Sequence, residues 1–210
     1  MALDEAPPRA AGTAPRATPT PKPSRVAAVI LAAGASTRLG HPKQLVLLQG
    51  ERLLDRAIRI ARAAGCDPVV IVLGSHAERI AKECDLTRVL VVHNGEWQEG
   101  LASSIQAGIS ALPKTAEAAI VMTCDQPAVS PQHLILLMAA CREQPSASSY
   151  AGRKGIPACF SRGTFGLLEA LRGDGGAKHL LVSATPVDLL MGELDVDTEE
   201  ALEAARSLFK

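Results

Sequence analysis

The chain has 210 residues, with 22 Lys plus Arg against 22 Asp plus Glu and a formal net charge of zero. That balance excludes a non-specific nucleic-acid binder, which needs a basic excess against phosphates. One Trp, one Tyr and three Phe are also too few to build stacking platforms along a single strand. The length suits one α/β domain with a tail, able to bury roughly 70% of its unfolded surface without disulfide or structural metal. The expected partner is a small molecule, with no nucleic acid and no membrane.

Residues 1–24 are rich in Pro, Ala and Thr and hold almost nothing to bury, so they are expected to be a disordered tail ahead of a domain over 25–210. They lack the apolar stretch of a signal peptide and the Ser-rich amphipathic character of a transit peptide. No apolar run reaches the roughly 18–20 residues that span a bilayer, and a cytoplasmic location is expected. Cys66, Cys84, Cys124, Cys141 and Cys159 share no C-x-x-C spacing. They read as small buried residues in a reducing compartment rather than a disulfide framework or zinc site.

The run Val26 to Gly34 is continuous, small and β-branched, which suits a central parallel strand covered on both faces. A polar loop follows to Lys43. Leu53 to Ala64 has helical spacing and stops at Gly65. A strand is expected at Pro68 to Leu73, a helix near His76 to Lys82, a strand at Arg88 to Val92 and a helix over Leu101 to Leu112. Next come a strand at Ala118 to Thr123, ending at Cys124-Asp125, and a helix from Pro131 to about Cys141, capped by Ser130. The alternation predicts a mostly parallel sheet with helices on both faces.

Beyond it the texture changes. Ser148 to Ala151 and Ala158 to Phe160 read as short antiparallel strands around a turn Gly152 to Gly155. Helices are expected near Thr164 to Leu171 and Ala177 to Ser183, then a strand at Pro186 to Leu190 and a terminal helix from Glu199 to about Leu208. In open α/β sheets, ligands sit outside the carboxyl ends of the strands. The loop after the first strand, Asp125 and the pair Asp195 and Asp197 all fall on that edge.

The loop holds two glycines, Ser36, Arg38 and Lys43. Glycines let backbone N–H groups approach an anion, and two cations without a nearby acid suit a polyanion such as a triphosphate. It is not a P-loop, because Gly40 is followed by His41-Pro42, and Pro42 also disfavours a dinucleotide fingerprint. Asp125 suits a hard cation such as Mg2+, which takes one or two carboxylates plus phosphate oxygens and water. It suits equally a turn cap before Pro127. Asp195 and Asp197 share one face of an extended segment, yet Asp197-Thr198 also reads as the cap of the last helix. His76, His93 and His179 lack metal-ligand spacing.

The string A-A-G-x-S-x-R-x-G-x-x-K-Q-L, from Ala32 to Leu45, resembles the signature loop of the MobA-like nucleotidyltransferases. The Ala33-Gly34 form is most similar to their molybdenum cofactor cytidylyltransferase branch. The resemblance covers Val26 to Arg206. It implies a single-domain Rossmann-like α/β fold of the nucleotide-diphospho-sugar transferase type, with a small antiparallel extension on the acceptor side. It also implies Mg2+-dependent transfer of a nucleoside monophosphate, from CTP by preference, to a molybdopterin-type acceptor with release of pyrophosphate. By resemblance the nucleotide is held by Leu31, Ala32, Ala33, Gly34, Ser36, Arg38, Lys43 and Ser104. Catalysis falls to Arg38, Lys43 and Asp125, and the metal to Asp125 with Asp195 or Asp197. C-D-Q-P at Asp125 and D-V-D-T at Asp195 resemble the metal segments, with Glu199 where a proline is usual.

Asn94 to Gly108 resembles the base-side segment, with Gly95 and Leu101 as departures and Ser104 as the candidate base contact. Trp97 there reads equally as plain packing. Tyr150 to Phe160 and Gly173 to Lys178 resemble acceptor-side segments, which assigns Arg153, Lys154, Gly173, Asp174 and Lys178 to the acceptor. Ile156 stands where the branch carries histidine, and Arg153 and Lys154 at a turn tip also read as solvated charges. Transient contact with a molybdoenzyme or its maturation chaperone is a further expectation of the resemblance. A non-catalytic carrier of nucleotide or molybdopterin and transfer to a sugar phosphate are the alternatives.

Overall fold

A computed structural model describes residues 25–173 and 175–209; the expected tail and Asp174 lie outside the described residues. Strand β1 (Val26–Ala32) is buried along its whole length. Its side chains alternate between two cores, as strand pleating requires. Ala28, Ile30 and Ala32 join helices α1 (Leu53–Ala63) and α4 (Pro131–Ala140) in one, while Val29 and Leu31 join α3 (Leu101–Ser110) and α5 (Phe165–Glu169) in the other.

The main sheet has seven strands in the order β5-β4-β1-β6-β8-β7-β9. Strands β4 (Val69–Leu73), β5 (Leu90–His93) and β6 (Ala118–Thr123) run parallel with β1. Strand β8 (Arg153–Ser161) pairs antiparallel with both β6 and β7 (Ser146–Tyr150), and β9 (Thr185–Asp188) lies parallel to β7. The expected antiparallel pair therefore continues the main sheet. In the register, Leu31 of β1 faces Thr123 of β6, and Ala32 faces Leu73 of β4. The loop after β1 and Asp125 consequently emerge side by side at one carboxyl edge.

Several expected boundaries move. Arg88 adopts φ +57°, outside any strand conformation, so β5 starts at Leu90. The β7–β8 hairpin turns on Ala151 and Gly152, with φ +47° and +72°, rather than on Gly152 to Gly155. Two left-handed residues are what a two-residue hairpin turn demands. Arg153 and Lys154 thus belong to the β8 ladder, opposite Tyr150 and Ser149. The helix expected over Ala177 to Ser183 is only a 3-10 turn, Lys178–Leu181. A small hairpin absent from the sequence reading, β2 (Leu47–Leu48) and β3 (Glu51–Arg52), turns on left-handed Gln49 and Gly50. Its strands are too short to show a period of two.

That hairpin matters because Val46 and Leu48 pack with Val196, Leu202 and Ala205 in a third cluster. Helix α6 (Glu199–Leu208) is thereby folded back against the loop side of the sheet. Helix α2 (Ala77–Glu83) completes the framework.

Candidate active site

The loop after β1 is held from within. Ser36 sits at φ +55°, its carbonyl accepts from Leu39 N and Gly40 N at 3.1 Å each, and its Oγ accepts from Lys43 N at 3.1 Å. Gln44 is buried, and its Nε2 donates to the carbonyls of Ala32 at 2.7 Å and Gly34 at 3.2 Å. Gln44, for which the motif alone indicates no role, thus clips the loop to the end of β1. A Cβ built on Gly34 would meet nothing within 4 Å, so internal packing does not require glycine there. The open space above it belongs to a cleft.

Lys43 and Arg38 are not free in this arrangement. The Lys43 ammonium is ion-paired with Asp125 and, at 2.6 Å, with Asp197; Arg38 Nη2 reaches the other oxygen of Asp197 at 2.7 Å. Burial penalises the Lys43 ammonium. The Asp125 charge and hydrogen bonds to Asp125 and Asp197 more than offset this and raise its pKa above the ordinary lysine value. Burial likewise works against the Asp197 carboxylate, but Lys43 and then Arg38 hold its pKa below the usual carboxylate range.

Asp197 does not cap α6. Thr198 does, its hydroxyl oxygen accepting from Ala201 N at 3.2 Å. The two readings of Asp197-Thr198 therefore divide between neighbouring residues, which leaves the Asp197 carboxylate for the cluster. Asp195 and Asp197 also part company. A bond from Asp197 N to Asp195 O at 2.9 Å closes a tight turn between them, and Asp195 lines a different cleft from Lys43. Burial, then the charges of Asp125 and Asp197, push the Asp195 pKa up to about 6.

Asp125 is 5% exposed, and its Oδ1 is buried without a partner among the described residues. An orphaned carboxylate oxygen is costly unless something satisfies it. Among the described residues no three His, Cys, Asp or Glu side chains form a ready metal cage. Magnesium needs none, since one or two carboxylates and substrate oxygens suffice. All five cysteines are free and buried.

Two clefts adjoin at Leu31 and Leu101, and of the ion-paired cluster Lys43 lines the first. The first, about 340 Å3, is lined by Ala33, Gly34, Lys43, Trp97, Ser104 and Thr123. The second, about 430 Å3, is lined by Tyr150, Arg153, Lys154, Lys178 and Asp195. Leu31 and Leu101 line both. A larger cavity of about 580 Å3 lies elsewhere, near Arg25, Asp67 and Ala116, and contains none of the predicted residues. Chemistry, not size, selects the site.

On the first side, Gly74 is obligatory: a Cβ there would lie 2.7 Å from Trp97 and 2.9 Å from Ala33. No local signal in the sequence marks it. On the second side, Lys154 is already engaged, donating to the carbonyls of Val182 at 2.8 Å and Ala184 at 2.7 Å. Arg153 lies 5.3 Å from the centre of the Tyr150 ring. Gly173 accepts from Ala102 N at 3.3 Å and is not among the residues lining either cleft. Ala32 is buried behind the loop.

The sequence matches the family described as MobA-like NTP transferase domain over residues 28–187. It is 30% identical to nicotine blue oxidoreductase of Paenarthrobacter nicotinovorans, over 88% of this chain and 95% of that one. It is 32% identical to a probable molybdenum cofactor guanylyltransferase of Opitutus terrae over 59% of each chain. Among solved structures, the Mycobacterium tuberculosis protein Rv0371c in complex with manganese superposes with a TM-score of 0.74. That alignment has 29% identity and covers 88% of this chain and 100% of that one. No helix among the described residues is long and apolar enough to cross a membrane.

Proposed function

Because the chain belongs to the MobA-like NTP transferase family, we propose that it moves CMP from CTP to a molybdopterin-type acceptor phosphate and releases pyrophosphate. The observation that carries this reading is the Arg38–Asp197–Lys43–Asp125 cluster, whose Lys43 lines a cleft adjoining a second cleft that bears Arg153 and Lys178. A nucleotide in the first cleft and an acceptor in the second would bring their phosphates together beside Lys43.

In the reaction, an acceptor phosphate oxygen attacks the α-phosphorus of the NTP. A new P–O bond forms as the bond from the α-phosphorus to the bridging oxygen breaks, and pyrophosphate leaves. An acceptor phosphate is already ionised at neutral pH, so no strong general base is required. Arg38 and Lys43 leave Asp197 and Asp125 for phosphate oxygens as the triphosphate enters, and hold its developing charge. The unpartnered Oδ1 of Asp125 and the carboxylate of Asp197 fit a hard divalent cation, proposed to be Mg2+. When bound, such an ion supplies charge neutralisation on the triphosphate.

Ala33-Gly34 supports CTP over GTP by likeness to the cytidylyl branch. The loop after β1 enters a 3-10 turn, Lys43–Leu45, rather than the helix N-terminus that a dinucleotide pyrophosphate uses, which favours phosphoryl chemistry over hydride transfer. Five buried thiols suit a reducing, cytoplasmic setting.

The test is pyrophosphate release with Mg2+, molybdopterin cofactor and CTP, GTP, ATP or UTP in turn. Release with CTP, abolished in a folded Asp125→Ala variant, is the expected result. Release with GTP alone overturns the base assignment, and a fully active Asp125→Ala variant overturns the mechanism.

A further inference from the structure

Beneath the first cleft lies a small buried network whose hydrogen bonds can be assigned one by one. Asn94, at the end of β5, is 5% exposed and is tied to β4 by its backbone N–H, which donates to Leu73 O at 2.7 Å. Its Oδ1 accepts from Glu96 N at 2.9 Å. That bond fixes the orientation of the amide, because a flipped side chain would set an NH2 group against an N–H. Nδ2 is then the donor end, and its two hydrogens go to Ser103 Oγ at 2.9 Å and Ser104 Oγ at 3.0 Å.

The two serines differ in what they have left. Ser103 Oγ passes its own proton to the carbonyls of Glu96 and Gly100, each at 2.9 Å. Its one proton is shared between these two carbonyls, and none is left for the cleft. Ser104 Oγ accepts from Asn94, and among the described residues no acceptor takes the Ser104 proton. Ser104 is 4% exposed, yet it lines the first cleft beside Trp97 and Thr123. A buried hydroxyl that has already accepted a bond presents its proton to whatever fills the cleft.

We propose that Asn94, by taking one lone pair of Ser104, turns the Ser104 proton to the nucleobase and so favours a base edge that offers an acceptor there. The inference rests on the nucleotide reading of the first cleft. A carbonyl oxygen or unprotonated ring nitrogen, such as cytosine carries, satisfies Ser104. An N–H edge, such as the amino groups that guanine and cytosine carry, could use only the remaining lone pair of Ser104 and would leave its buried proton without an acceptor. Asn94 itself does not touch the ligand; it is a positioning residue that acts through Ser104.

The substitution Asn94→Asp is nearly isosteric and reverses this polarity. Its Oδ1 still accepts from Glu96 N, but its second oxygen now accepts the Ser104 proton, leaving a lone pair of Ser104 facing the cleft. Ser104→Ala removes the contact and places no new charge in the interior.

The experiment is calorimetric titration of the full chain in Mg2+ with CTP, UTP, GTP and ATP. Inorganic triphosphate serves as a probe of the phosphate contacts alone. In the native chain the preferred nucleotide binds more tightly than triphosphate. Asn94→Asp and Ser104→Ala each cut that surplus about tenfold or more, taken against triphosphate binding to the same variant, which Ser104→Ala leaves unchanged. In the Ser104→Ala background, Asn94→Asp has little further effect on the surplus, which a merely structural role would not produce. An unchanged ratio of nucleotide to triphosphate in both variants overturns the proposal. So does an Asn94→Asp effect that persists in full without the Ser104 hydroxyl. Failure of folded native protein to bind triphosphate or any nucleotide overturns the nucleotide reading, and this inference with it.

Discussion

The backbone N–H of Val196 donates to the carbonyl of Asp125 at 2.8 Å, joining the segment between β9 and α6 to the end of β6. Val196 is fully buried in the cluster formed by the β2–β3 hairpin and α6. A single packed side chain thus sets the distance between two acidic residues 72 positions apart (197 minus 125). Val196→Ala is expected to lower stability by about 1–3 kcal/mol through lost burial. Turnover should fall more than NTP binding does, because Asp197 loses its fixed place over Lys43. Denaturant melts alongside turnover check this; an unstable variant with native turnover per folded molecule would refute the positional role.

Arg38 separates catalysis from stability. Its side chain is 73% exposed, so its pair with Asp197 adds little to folding. Arg38→Ala should leave the melting midpoint unchanged. Loss of one donor to the developing phosphate charge is expected to reduce turnover by about 10²–10³-fold. Unaltered turnover would remove Arg38 from the mechanism.

The sheet and the ligand edge were legible in the sequence because buried parallel strands are short apolar runs that end in polar loops. Val26–Ala32 and Ala118–Thr123 show that pattern clearly, and Asp125 follows directly from the second. What stayed hidden was pairing at a distance. No local signal tells that Lys154 is spent on the carbonyls of Val182 and Ala184, or that Gly74 clears room for Trp97. The two roles of Asp197-Thr198 were both visible, but their division between adjacent residues depends on where α6 packs. Turns such as Gln49-Gly50 escaped notice because their strands are only two residues long.

His133 gives a pH dependence of known sign. It is buried in α4, its Nε2 lies 2.8 Å from Ser148 Oγ, and burial lowers its pKa below the ordinary histidine value. Ser148 already donates to Pro157 O at 2.7 Å, so Nε2 carries the hydrogen of a neutral ring. Below about pH 6.5 the unfolded chain takes up a proton that the folded chain resists, so stability is lost as pH falls toward the folded pKa. His133→Gln keeps a donor at a similar reach and should flatten this part of the curve. Denaturant midpoints between pH 7.5 and 5 measure it; parallel curves for the two proteins would assign the acid loss to other groups.

Lys154 tests how the second cleft is built. Its ammonium links β8 to the carbonyls of Val182 and Ala184, just beyond the 3-10 turn that carries Lys178 and Leu181. Those two residues line the same cleft as Tyr150 and Arg153. Lys154 therefore acts as a strap across the cleft walls, whereas Arg153 and Lys178 are the cations that remain for an acceptor phosphate. Lys154→Met keeps the apolar stem and removes both hydrogen bonds. KM for the acceptor should rise about tenfold, with little change in NTP affinity or in kcat at saturating acceptor. Arg153→Ala, which removes a charge from the cleft itself, is expected to lower kcat/KM and its dependence on salt together. If Lys154→Met instead reproduced the salt behaviour of Arg153→Ala, Lys154 would be a direct phosphate ligand and the strap would be wrong.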